Sequence, residues 1–304
     1  MVNGQIPGSS RVSRRSEQLH PAALTGSHPP GHHTRMVDFR PFLLLWLWVF
    51  VPVGQAMAAT PDLVVISGAS FVMGDAEGDA NEAPTSVVVE SFRLMNHEVT
   101  NEQFAAFVTA TGHRTDPERS GAGYVWDGRW RLIDGADWRH PYGPDTGIGQ
   151  APNHPVVQVS ARDGAAYCDS RGLRLPSEAE WEFAARGTDG RRFPWGNAPP
   201  LAGYTAPANF GTVPCCAADA GDGYLRTAPV GSYQAGASPF GILDMAGNVW
   251  EWTSDPFPGN PDFVALRGGG WGNNPYCLRV SYRHGNPPDI GLDMVGFRCA
   301  ADAG

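Results

Sequence analysis

Short apolar runs broken by glycine, proline and polar clusters set the pattern of this chain. Residues 1–35 are polar, rich in Ser, Gly, Pro, His and Arg, and show no hydrophobic period. A continuous apolar run follows from Phe42 to Val51. Leu63 to Ile66 and Ser70 to Met73 read as short strands about a turn at Gly68, and Ser86 to Phe92 as a weakly alternating strand. Thr100-Asn-Glu-Gln103 is a capping box: the threonine side chain accepts from an orphan helix N–H while the glutamine reaches back. It predicts a helix to about Thr111, stopped by Gly112. Ser160 with Asp163 opens a second helix, carrying Ala165, Ala166 and Cys168 and ended by Gly172. Ser177-Glu-Ala-Glu180, just after Pro176, opens a third through Ala185. Beyond Gly187 only short strands and long turns are predicted. With no internal repeat and no linker, the pattern predicts one α+β domain with much irregular structure.

The apolar run has the surroundings of an export signal. Met36 and Arg40 precede it, Pro52 and Gly54 break it, and Ala56-Met-Ala58 supplies a small-residue exit. The run is short of the roughly 20 residues that span a bilayer. The expected organisation is an upstream segment at 1–35, a signal peptide at 36–58 and a domain at 59–304. The expected location is periplasmic or secreted, with no membrane span after cleavage.

Composition changes the picture in two ways. The 38 Gly and 27 Pro demand many turns, while 10 Trp and 14 Phe supply enough apolar area for a core stitched by loops. The net charge is −9 and all 22 basic residues are Arg. An acidic chain without a basic run is unsuited to nucleic acid. The absence of Lys excludes Schiff-base chemistry and a P-loop. Asp75 to Glu82 has the look of a calcium loop, but Ala80 and Ser86 stand where Gly and Glu are needed, so it reads as solvated surface. His140 and His154 lack partners at ligand spacing and read as structural. Five cysteines leave an odd thiol. The adjacent Cys215 and Cys216 are open to a vicinal disulfide, a soft metal or separate partners.

Several segments then add up. They are Gly68-Ala-Ser-Phe-Val-Met-Gly74, His97-Glu-Val-Thr-Asn-Glu-Gln-Phe104, Asp137-Trp-Arg-His-Pro141 and Asn153-His-Pro-Val156. Arg174-Leu-Pro-Ser-Glu-Ala-Glu-Trp-Glu182 and Phe193-Pro-Trp-Gly-Asn197 follow. Asp244-Met-Ala-Gly-Asn-Val-Trp-Glu-Trp252, Arg267-Gly-Gly-Gly-Trp271 and Gly296-Phe-Arg-Cys299 close the set. In this order, residues 63–304 resemble the sulfatase-modifying-factor family, whose founding activity is formylglycine generation.

The resemblance implies a single loop-rich domain of C-type-lectin-like fold with structural calcium. One ion would take the Asn209 and Asp222 side chains with the Phe210 and Tyr224 carbonyls; a second would take Asp244, Gly247, Val249 and Glu251. It implies a Cys168–Cys299 disulfide, and a monomer acting on a protein or peptide. Counted back from Cys299, Arg283 matches an arginine near the family's active site and could hold a substrate carboxylate or carbonyl. Trp250, Trp252 and Trp271 could line a peptide groove, and Cys277, Arg283 and Trp250 are the candidate catalytic residues. Formylglycine generation uses two thiols that bind copper(I), which suits soft ligands. Aligned forward from Gly268-Gly269 with one deletion, Cys277 falls on the second thiol, Asn273 on the first, and Gly270 on a serine of the oxygen pocket. Counted back from Cys299, Cys277 falls two residues past the second thiol. Either way the first is absent, which withholds the two-sulfur copper set. Two functions are carried forward: an exported oxidative maturation factor for a cysteine, peptide or siderophore-like substrate, and a non-catalytic lectin-like binding module.

Overall fold

The N-terminal apolar runs form four strands, β1 (Leu63–Ile66), β2 (Ala69–Met73), β3 (Thr85–Val89) and β4 (Phe92–Met95). The single strand expected over Ser86 to Phe92 is thus two. In this computed structural model residues 62–201, 206–213 and 215–304 are described. All of them belong to one compact unit, Met57–Gly304. The signal-peptide reading at 36–58, and the segment before it, lie outside the described residues.

β1 and β2 flank Gly68 but do not pair with each other. β1 runs antiparallel to β4, Leu63 opposite Met95, and β2 runs antiparallel to β3, Ala69 opposite Val89. Gly68 stands where the chain changes partner, packed against the backbone of 89–91 so closely that a Cβ would collide with the Val89 carbonyl.

The three predicted helices form where their caps place them. They are α1 (Asn101–Thr111), α3 (Ala161–Asp169) and α4 (Glu178–Arg186), each opened by the expected box at Thr100, Ser160 and Ser177. α3 stops three residues short of Gly172. A short helix, α2 (Asp116–Ser120), and a hairpin, β5 (Ala122–Trp126) with β6 (Trp130–Asp134), were not predicted. Both had signals: Thr115 and Glu118 form a fourth capping box, and Asp127-Gly128 lies in the hairpin turn.

The C-terminal third is more regular than expected. β7 (Trp250–Phe257) and β8 (Asn260–Arg267) are eight residues each and pair antiparallel. β9 (His284–Asn286) extends that sheet beyond β8, and β10 (Val295–Gly296) runs parallel to β7 on its other side. β11 (Ala300–Asp302) returns to the first sheet, antiparallel to β4. One core packs Ile66, Phe71, Leu94, Trp181, Met245 and Val280 between the first sheet, α4 and the C-terminal loops. Under α1 and α3, Phe104, Tyr167, Trp138 and Phe297 meet ring against ring.

Candidate functional site

The loop leaving β8 and the start of β7 meet over one side chain. The Asn273 Oδ1 accepts from the Trp250 indole N–H at 2.9 Å and from the Gly270 N–H at 3.0 Å. A Cβ at Gly270 would stand 3.3 Å from both the Met294 carbonyl and the Trp250 ring, so the loop is drawn tightly onto β7 and the 292–296 segment. Trp250 then tilts against Tyr282 and His284, at 5.9 and 5.5 Å between ring centroids. Burial pushes the His284 imidazole down to about 4, so it is neutral at ordinary pH.

Cys277 stands outside both disulfides and is buried. Burial pushes its thiol up to about 11, against a smaller opposing pull from its hydrogen bond with Tyr282. Burial thus favours the neutral thiol in the metal-free protein.

The acidic loop is exposed at Ala76, Glu77, Asp79 and Ala80, as expected of solvated surface, but Glu82 anchors it over this region. Glu82 is fully buried and takes both Arg279 terminal nitrogens at 2.9 Å. Asp79 accepts from the Tyr276 hydroxyl at 2.7 Å, and Arg283 donates to the Asn81 carbonyl at 2.6 Å. Arg283 also lies 3.1 Å from Glu178. It shares that carboxylate with Arg267. Trp250, Trp252 and Trp271 are all buried, so they build the core under the site instead of an open groove. His140 and His154 bond Asp137 and Thr227 as structural residues.

The two oxygen-ligand sets differ. In the first, Asp222 accepts from the N–H groups of Phe210 and Tyr224 at 2.6 and 3.1 Å. The buried Asn209 Oδ1 has no hydrogen-bond partner, while its Nδ2 donates to the Arg226 carbonyl and Asn248. A buried carbonyl oxygen left unmatched beside a carboxylate fits a hard cation. In the second set both Glu251 oxygens face Arg298, at 2.7 Å each, and one also takes the Trp181 indole N–H. Asp244 accepts from the Gly231 N–H. Burial raises the carboxyls of Asp244 and of nearby Glu98, and the one Arg298 cannot hold every acid in its charged form. In this set the Glu251 carboxylate is already partnered by Arg298. Asp244 and Asn248 there hold left-handed backbone, with φ of 55° and 61°. At Gly247, a Cβ would strike the Asn209 carbonyl. Among the described residues, no group of three His, Cys, Asp or Glu side chains is placed to hold a metal.

The copper set is not present. Cys215 and Cys216 are bonded to each other, and Cys168 to Cys299 as expected. Asn273, at the place given by forward alignment to the first thiol, is an amide locked to backbone and indole. These residues do not fit a two-sulfur copper(I) ion.

Residues 51–303 match the model of the sulfatase-modifying factor enzyme 1-like domain. The chain belongs to the sulfatase-modifying-factor family. It is 40% identical over 290 residues to the formylglycine-generating enzyme of Streptomyces coelicolor, covering 81% of this chain and 90% of that protein. It is 36% identical over 296 residues to the inactive C-alpha-formylglycine-generating enzyme 2 of Mus musculus, covering 87% and 93%. Among solved structures it resembles PvdO from Pseudomonas aeruginosa with a TM-score of 0.62 and 26% identity, covering 82% of this chain and 97% of that one. The loop-rich α+β architecture is the C-type-lectin-like fold of the family.

Within this sulfatase-modifying-factor domain, some contacts of the site were not readable from the sequence. Asn248 bonds Glu98 at 3.0 Å, the Ala228 N–H at 2.9 Å and Asn209, tying three distant segments together. Arg226 pairs with buried Asp293 at 2.7 Å and lies over the Tyr142 and Trp271 rings. Only the chain's long-range folding brings these groups together.

Proposed function

We propose that this protein is an exported protein- or peptide-maturation factor of the oxidative class, one that does not work through the two-thiol copper site of formylglycine generation. The observation that carries the reading is Asn273, locked between Trp250 and Gly270, four residues before Cys277. The similarity to the Streptomyces enzyme supports the oxidative class. The two disulfides support an oxidising compartment. Among the described residues, no helix is long and apolar enough to cross a membrane. A structural calcium ion held by Asn209, Asp222 and the carbonyls of Phe210 and Tyr224 completes the proposal. It would order a loop that has no ladder of its own.

A second reading, a binding module that holds its partner without changing it, is favoured by the similarity to the inactive mouse protein and by the absent first thiol. The test is to incubate the folded protein with copper(I), oxygen and a Cys-x-Pro-x-Arg peptide, and to follow the peptide by mass. The expected result is no aldehyde and no retained copper, with both gained by Asn273→Cys. Conversion by the unaltered protein overturns the proposal. Oxygen-dependent mass changes in exported peptides from the source cell separate the two readings: a partner captured unchanged supports the binding module.

A further inference from the structure

The two disulfides differ in what a cross-link can do. Cys168–Cys299 spans 131 positions. A bond stabilises mainly by removing freedom from the unfolded chain, more so for longer loops. Cys215–Cys216 joins neighbours that the backbone already holds together, so it removes almost no such freedom. Its surroundings point elsewhere. Cys215 is exposed and Cys216 is buried. The Cys216 sulfur lies 3.9 Å from the Met294 sulfur and accepts from the Asn273 amide Nδ2 at 3.9 Å. Gly272 leaves room for it: a Cβ there would stand 3.1 Å from the Cys216 Cβ and 3.2 Å from the end of Met294. Two backbone bonds dock the segment on the site, Gly211 N–H to the Asn273 carbonyl at 2.8 Å and Ala217 N–H to the Gly272 carbonyl at 3.0 Å.

We propose that Cys215–Cys216 is a thiol–disulfide exchange site that takes two electrons from a dithiol and holds them beside Asn273. A thiolate of the dithiol attacks the exposed Cys215 sulfur, and the bond to Cys216 breaks. Cys216 leaves as a thiolate toward the Asn273 amide and takes up a proton. The second thiol of the reductant then attacks its own sulfur in the mixed disulfide. This releases Cys215, which is protonated, and forms the oxidised reductant. Two electrons and two protons have passed to the protein, and the reverse steps return them to a disulfide acceptor. Asn273 is a positioning residue here: its amide N–H faces the leaving sulfur. The inference goes beyond the proposed function and does not depend on it.

The folded protein is equilibrated with graded dithiothreitol, alkylated, and its cysteines read by peptide mass analysis. Cys215 and Cys216 are expected to label at dithiol concentrations at least about tenfold below those that open Cys168–Cys299, with one dithiol oxidised per protein. Asn273→Asp keeps the oxygen that Trp250 and Gly270 use but sets a negative charge beside the leaving thiolate. It is expected to slow opening severalfold, read under conditions in which the variant remains folded. The double variant Cys215→Ser, Cys216→Ser is expected to unfold at the wild-type denaturant concentration. Joint opening of both disulfides, or a Cys215–Cys216 bond reduced only on unfolding, overturns the proposal. So does a stability loss in the double variant as large as that from removing Cys168–Cys299, which would mark a structural staple.

Discussion

Arg298 and Glu251 meet as a two-point pair, Nε to Oε2 and the second terminal nitrogen to Oε1, both at 2.7 Å with neither side chain exposed. Arg298 also donates to the carbonyls of Met95, Leu243 and Asp244, so one guanidinium joins β4, β7 and the loop between the sheets. Removing one partner leaves the other charge buried without compensation. Arg298→Met is expected to cost about 3–5 kcal/mol, read from the shift of a denaturant unfolding curve. A loss under about 1 kcal/mol, the range of exposed pairs, would contradict this role.

The Cys168–Cys299 bond ties α3 to the residue that precedes β11. By the loop-entropy argument its removal is expected to cost about 4–5 kcal/mol. Cys168→Ser with Cys299→Ser, compared with wild type in the same denaturant series, checks the value.

Asp293 gives stability a defined dependence on pH. Burial pushes its carboxyl up to about 7, against the opposing pull of Arg226. Its folded value lies above its unfolded one. The native state therefore keeps a proton that the unfolded chain gives up from about pH 4. This contribution is full below about pH 4, falls as pH rises toward 7, and is gone above it. Each pH unit of difference is worth about 1.4 kcal/mol. Asp293→Asn is expected to flatten the decline between pH 4 and 7, measured as unfolding midpoints at a series of pH values. An equal slope in the variant would assign the dependence to other groups.

Calcium is expected to raise the melting temperature through the first oxygen set. At a hundred times its dissociation constant an ion adds about 2.7 kcal/mol. The gain is expected to vanish in Asn209→Ala, which removes the unmatched oxygen. Melting curves with calcium and with chelator measure it, and superimposed wild-type curves would remove the ion from this site.

Helix starts were legible because a capping box is local: Thr100, Ser160 and Ser177 each satisfy an N–H three residues ahead. The family was legible in ordered motifs, and the Cys168–Cys299 bond followed from them. Strand partners were not, because β1 chooses β4 over its neighbour β2 on the strength of contacts 30 residues away. The acidic loop misled for a similar reason. Glu82 looks solvated beside Asp79 and Glu77, and only the arrival of Arg279 nearly 200 positions later makes burial affordable. At the site, the missing thiol was visible in the sequence. The lock on Asn273 was not, because it needs the Trp250 indole turned toward it by β7.

The first sheet has β4 in its middle, with β1 on one side and β11 on the other. Its central strand is made long before Ala300–Asp302 supply its second neighbour. Until then the Leu94 backbone has an open edge, and Cys168 has no Cys299 to meet. Closure of this sheet therefore needs the chain made through residue 302: a shorter nascent chain lacks both the second neighbour of β4 and the partner of Cys168.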